Sequence, residues 1–287
     1  MFRRILVSMD LSPATEALVA ALPGLKELGT REIILAHVAR PVQEPVSHSL
    51  RQVEDIRARL TSLAERLRED GFQVTVEVPS GSPAAELVRL AEAREPDAIM
   101  VGSRSHARVY EAFVGSVAWE IVRRARRPVI LHRIEASRPD PEAALQSRGS
   151  GRPARVIYPT DFSTIAAGAL PWLSNLAREG VEGFTLLHVL PVGSMEGRED
   201  AQASLDALAD ELRSAGAKDV RVEIRPGTPH EEVLAMGGRN PDNWVVMGTH
   251  GRGFLPEIVM GSESRQVVRQ ASATVLLIPA EEGNDSA

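Results

Sequence analysis

The sequence predicts an α/β fold built twice, as two tandem doubly wound domains, and three observations predict it. The first is an internal repeat. Arg4-Ile5-Leu6-Val7-Ser8-Met9-Asp10-Leu11-Ser12 returns as Arg155-Val156-Ile157-Tyr158-Pro159-Thr160-Asp161-Phe162-Ser163, and Leu35-Ala36-His37-Val38 returns as Leu186-Leu187-His188-Val189, both 151 positions later. Gly81-Ser82-Pro83 returns as Gly227-Thr228-Pro229 and Gly115-Ser116 as Gly261-Ser262 at an offset of 146. The second copy is therefore a few residues shorter between its second and third strands, where a loop and a helix edge tolerate length changes. The second observation is a series of short β-branched apolar runs alternating with helical stretches, the pattern of a parallel sheet covered on both faces. The third is the length: 287 residues suit two domains of ~100–200 residues each.

In order along the first copy, the strands are expected at Ile5–Val7, Ile33–Val38, Val74–Val78, Ile99–Val101 and Val129–Leu131. Ser12 caps the first helix, with Pro13 in its first turn. Val53, Ile56, Leu60, Leu63 and Leu67 recur at steps of three and four, which makes one apolar stripe on a surface helix. Gly71, after Asp70, ends that helix. The stretch 135–153, rich in Pro, Gly, Ser, Arg and acid, reads as a linker between a domain over 1–134 and another over 154–280, and 281–287 as a frayed tail.

Composition narrows the function classes. The chain is 43% hydrophobic and 25% charged, with no stretch approaching the ~18 apolar residues of a membrane helix. The apolar start is broken at once by Ser8 and Asp10, unlike a signal peptide, so a cytoplasmic location is expected. Zero cysteines exclude disulfides, thiolate metal sites and cysteine nucleophiles. A net charge of −6 argues against non-specific nucleic-acid binding.

In doubly wound sheets, ligands bind beyond the carboxyl ends of the strands, where the order of the sheet reverses. After the fourth strand of the second copy comes Gly248-Thr249-His250-Gly251, then nine residues, then Gly261-Ser262. Closely spaced glycines let backbone N–H groups approach a ligand and cradle an anion. Gly261-Ser262 opens a helix whose unpaired N–H groups and positive dipole end favour phosphate. There is no Walker-type Gly-Lys-Ser/Thr and no carboxylate pair for a metal beside the loop. The first strand–helix turn holds Asp161-Phe162-Ser163 where a dinucleotide dehydrogenase needs Gly-x-Gly-x-x-Gly.

Gly-x2-Gly-x9-Gly-Ser after strand four, an Asp ending strand one and a His-Val on strand two resemble the universal stress proteins, in their ATP-binding, tandem-domain form. The resemblance implies a five-stranded sheet of order 3-2-1-4-5 in each copy, with the two last strands pairing edge to edge as an internal pseudo-dimer. It implies ATP as ligand, accompanied by Mg, with ADP or AMP as alternatives. By position, Asp161 would face the ribose or adenine, Val189 would border the adenine, and Gly248, Gly251, Gly261 and Ser262 would hold ribose and phosphates. The first copy carries the corresponding Asp10, Val38, Gly102, Gly115 and Ser116, but Ser105 replaces its second glycine. If that position needs φ > 0, serine costs ~1–2 kcal/mol there, so weaker binding is expected in the first copy.

Other residues have plainer readings. His37 and His188 read as hydrogen-bonded structural histidines at strand ends. His250, inside the loop, lacks an evident carboxylate partner for acid–base work. Trp119, Trp172 and Trp244 read as core or interface. The run Arg123-Arg124-Ala125-Arg126-Arg127 suits a helix C-terminus. Arg252 and the apolar Phe254-Leu255-Pro256 lie in the spacer, the latter as a contact surface. No catalytic residues are singled out. The function expected is a stress-response regulatory protein acting through nucleotide-dependent conformation or partner binding, with an unidentified protein partner, no membrane partner and association into a homodimer. The alternatives are a slow ATPase or phosphotransferase, and a nucleotide-free interaction module.

Overall fold

The computed structural model describes residues 1–12, 14–40, 46–103, 114–136, 145–147, 150–194, 196–249 and 260–280. Each apolar run of the first copy is a strand: β1 (Arg4–Ser8), β2 (Glu32–Ala36), β3 (Gln73–Glu77), β4 (Ala98–Gly102) and β5 (Val129–His132). Between them run α1 (Ala14–Glu27), α2 (Val46–Glu69), α3 (Pro83–Arg94) and α4 (Ser116–Arg124). The foreseen stripe faces inward, with Leu60 and Leu67 fully buried. Gly71 ends α2 at φ +88, and its N–H donates to the Arg68 carbonyl oxygen at 2.9 Å. The Ser12 hydroxyl accepts the Ala14 N–H at 3.1 Å, as a cap should; Pro13 lies outside the described residues.

The stretch 135–153, read as a linker, holds β7 (Leu145–Ser147) and most of β6 (Ile134–Ala136), two short strands paired antiparallel. Ile134 is fully buried, and the Ser103 hydroxyl accepts its N–H at 3.1 Å. A three-residue strand shows no periodicity, so only its packing reveals it.

The second copy repeats the plan with β8 (Arg155–Pro159), α5 (Thr164–Ala167), α6 (Leu170–Arg178), β9 (Gly183–Leu190), α7 (Arg198–Ser214), β10 (Asp219–Pro226), α8 (Pro229–Gly237), β11 (Asn243–Gly248), α9 (Ser262–Gln270) and β12 (Thr274–Ile278). Pro229, like Pro83, opens its helix where a missing N–H costs nothing.

Among the described residues the strands make one ten-stranded sheet, ordered β10-β9-β8-β11-β12-β5-β4-β1-β2-β3. Each half has the order 3-2-1-4-5 and is parallel throughout. The halves join through β12 and β5, which run antiparallel with Leu276 opposite Ile130. That pairing covers two edges that would otherwise expose unpaired backbone groups. Strand alternation sends Ile5 and Val7 to one face and Leu6 to the other. The first face is covered by α1, α2, α6 and α7 across both copies, the second by α3, α4, α8 and α9.

The tryptophans serve both expected roles. Trp244 is buried in β11. Trp172 stacks on Phe2 of the other copy, centroids 5.5 Å apart, and Trp119 lies beneath Arg269 of the other copy at 5.2 Å. Arg123 and Arg124 pair with Glu120 on the surface of α4. Among the described residues, no helix is long and apolar enough to cross a membrane.

Candidate functional site

The reversal of strand order falls between β8 and β11 in the second copy and between β1 and β4 in the first, and the site grows from the turns after those strands. Asp161 lies two residues beyond the end of β8. Its Oδ1 accepts the Ser163 N–H at 3.0 Å, and in the other copy Asp10 Oδ1 accepts the Ser12 N–H at the same distance. These are Asx-turns, which satisfy the backbone locally and fix the carboxylate just beyond the strand. The residue enclosed is left-handed in both copies, Leu11 at φ 54 and Phe162 at φ 59. A left-handed non-glycine residue is uncommon, and its recurrence after both aspartates marks a geometry that the turn requires.

The histidines of the second strands lock the same turns. His37 Nδ1 bonds to the Met9 carbonyl oxygen and His188 Nδ1 to that of Thr160, each at 2.8 Å. Both are hydrogen-bonded within the structure, as expected for structural histidines. Burial pushes the His37 imidazole below its ordinary value, opposed in part by that carbonyl bond. The Phe162 ring rests against the His188 ring at 4.8 Å. Deeper in the second copy, the Tyr158 hydroxyl donates to the Ala166 carbonyl oxygen at 2.8 Å, and burial pushes the phenol up to about 12.

The other wall is the loop after the fourth strand. The two ends of that loop are tied together identically in both copies. Gly261 N–H donates to the Thr249 oxygen at 3.0 Å, and Gly115 N–H to the Ser103 oxygen at 3.0 Å. Thr249 and Ser103 are in turn tied to the last strand, at 3.0 Å to Ile278 and 2.9 Å to His132. The glycines at the helix starts have ordinary backbone angles, φ −61 at Gly261 and φ −58 at Gly115. What Gly115 provides is open space. A Cβ on Gly115 would meet nothing closer than the Ser103 oxygen, 3.9 Å away. Behind Gly261, the buried Ser264 hydroxyl donates to the Gly248 oxygen at 3.2 Å.

These parts enclose a cavity in each copy. Asp161, Val189, Gly248, Gly261 and Ser262 all line one cavity of 230 Å³ in the second copy, so five of the six expected residues meet. The sixth, Gly251, lies outside the described residues, as do His250, Arg252 and Phe254-Leu255-Pro256. Asp10, Val38, Gly102, Gly115 and Ser116 line a cavity of 430 Å³ in the first copy. Ser105, the reason for expecting weaker binding there, also lies outside the described residues.

Sequence reasoning missed two residues of the second cavity, His230 and Glu263. Glu263 Oε2 accepts the backbone N–H of His230 at 2.9 Å and lies 2.8 Å from its Nδ1. They are 33 positions apart, and the only available signal was their absence from the first copy, where Ala84 and Val117 stand instead. In the first cavity the charged lining includes Arg40 and Asp10.

The arrangement holds the elements of an anion-plus-ring site: a helix start lining the cavity, a carboxylate held just beyond a strand, and apolar walls from Val189, Val233 and Met247.

Comparison with known proteins agrees with this frame. The model of the universal stress protein family matches residues 1–133 and again 154–279. A universal stress protein of Mycolicibacterium smegmatis is 24% identical, the match covering 96% of each chain. One from Methanocaldococcus jannaschii is 26% identical over 43% of this chain and 93% of its own length, so a single copy spans it. The crystal structure of a universal stress protein from Archaeoglobus fulgidus, 22% identical, superimposes over 97% of both chains with a TM-score of 0.73, which shows the shared fold. The repeated sequence, the paired halves and two family matches in tandem together place this chain in the universal stress protein family.

Proposed function

We propose that the chain is a stress-response regulatory protein that binds an adenine nucleotide, with the cavity of the second copy as its principal site. ATP, brought in with Mg as its counter-ion, is the ligand implied by the resemblance, and ADP and AMP are the alternatives. Binding would act by changing the surface offered to a protein partner, which requires that the partner discriminate between empty and filled states. The observation that carries the reading is convergence. Asp161, Val189, Gly248, Gly261 and Ser262, drawn from four separate stretches of the chain, line one cavity at the reversal point of the sheet. Asp161 would accept from ribose or adenine donors. The first N–H groups of α9 would face phosphate.

The test is calorimetric titration of nucleotide-free protein with Mg-ATP, AMP and ADP, read for stoichiometry. One site per chain supports the second copy alone. A second reading, two sites per chain, is favoured by the first cavity, whose loop ends are tied as in the second copy and whose expected residues also converge. Absence of binding by all three nucleotides overturns both readings and leaves a nucleotide-free interaction module.

A further inference from the structure

We infer that the His230–Glu263 pair makes the second cavity select adenine ligands by charge, favouring a single phosphate over a triphosphate. The inference rests on the nucleotide reading and narrows it. Glu263 is the second residue of α9, and His230 is the second residue of α8. One carboxylate oxygen accepts both the His230 backbone N–H and Nδ1–H, at 2.9 and 2.8 Å. An ionised carboxylate can only accept, so Nδ1 is the donor of that bond. The start of α8, where the dipole and unpaired N–H groups attract an anion, thus already has a resident one.

Both residues line the cavity. Its described lining contains two carboxylates, Asp161 and Glu263, and no lysine or arginine. The pair is not needed to build the site. The first copy ties its loop ends at the same 3.0 Å with Ala84 and Val117 at these positions. A frame that forms without the pair, and a carboxylate lining the cavity of the copy that has it, point to ligand choice. Acceptors suit the hydroxyl and amino groups of a nucleoside, whereas each added phosphate brings further negative charge toward a fixed carboxylate.

The test uses the full chain with Gly115→Leu, which fills the first cavity at a position where a Cβ has 3.9 Å of clearance. Dissociation constants for AMP and ATP without Mg are measured by calorimetry in this background and after adding Glu263→Gln. Glu263→Val, which copies the first copy, is the second variant should the amide impair folding. The expected result is tighter binding of AMP than ATP before substitution. Removing the charge should strengthen ATP binding about tenfold, the equivalent of ~1.4 kcal/mol, with AMP changed much less. An ATP-to-AMP ratio unchanged within about twofold in both variants, or ATP preferred before substitution, overturns the selection while leaving nucleotide binding intact. Absence of binding by either nucleotide in every form overturns the selection together with the nucleotide reading.

Discussion

Replacing Gly24 by alanine sets two effects of opposite sign against each other, and the structure decides which wins. Gly24 lies inside α1, where alanine is favoured over glycine by about 0.5–1 kcal/mol from helix propensity alone. The added Cβ, however, would stand 2.1 Å from the Ser150 oxygen, 2.7 Å from the Arg152 nitrogen and 2.8 Å from the Gly151 carbonyl carbon. All three are backbone atoms, so no side chain can swing aside. Relief requires α1 and the 150–152 turn to separate by about 1 Å, and neither is loose. Leu22 and Leu25 are fully buried beside Gly24. On the other side, the Ser150 N–H donates to Asp242 Oδ1 at 2.6 Å, and the Arg152 guanidinium donates to the Gly180 oxygen at 2.8 Å. Overpacking of this kind costs ~1–3 kcal/mol, and three backbone clashes put the cost in the upper part of that range, so it exceeds the propensity gain and gives a net destabilisation of up to about 2.5 kcal/mol. Equilibrium urea unfolding, followed by tryptophan fluorescence, measures it as a lowered midpoint at unchanged slope. A midpoint raised by the variant would mean that propensity wins and that the close crossing of α1 with this turn is wrong.

Two further outcomes are expected. His132, fully buried at the junction of the halves beside the Thr274 hydroxyl at 3.1 Å, has its imidazole pushed by burial down to about 4. The unfolded chain protonates this residue near pH ~6.5 and the folded chain only near 4, so more protons are bound unfolded within that window. Stability therefore falls as pH drops through it, by at most about 3 kcal/mol, and His132→Gln should remove this slope in denaturation midpoints taken from neutral to acid pH. An equal slope in the variant would refute the assignment. Asp161→Asn keeps an oxygen for the Ser163 N–H but loses the charge. It should leave the melting temperature of the free protein nearly unchanged while reducing the stabilisation by AMP by about 1.5–3 kcal/mol, the range for hydrogen bonds to charged groups. Equal AMP stabilisation in both forms would remove Asp161 from the site.

Much of the site was legible because it consists of residues whose chemistry depends on their place along the chain. The glycine and serine at a helix start, and the aspartate just beyond a strand, advertise backbone geometry that sequence spacing preserves. The left-handed turns at Leu11 and Phe162 were not legible. Neither residue type favours that conformation, and the turn is imposed by the aspartate hydrogen bond and the packing around it. The strands β6 and β7 were missed because three residues carry no period. The His230–Glu263 pair was missed because its members lie on different helices.

What the sequence determined by itself was the repeat, the alternation of strand and helix, the inward stripe of α2 and the landmarks that lie next to one another along the chain. These are local properties, set by side-chain periodicity and by the backbone preferences of glycine, proline and capping residues. The tertiary structure decided the antiparallel register in which β5 and β12 join the halves, a pairing that the family resemblance implied, that α1 crosses the 150–152 turn at two glycines, and which charges share a cavity. Those outcomes depend on which surfaces meet after folding, a contact between residues more than a hundred positions apart in the first two cases and 33 apart in the last. No spacing rule records such a meeting, because it is settled by packing and desolvation across the whole chain.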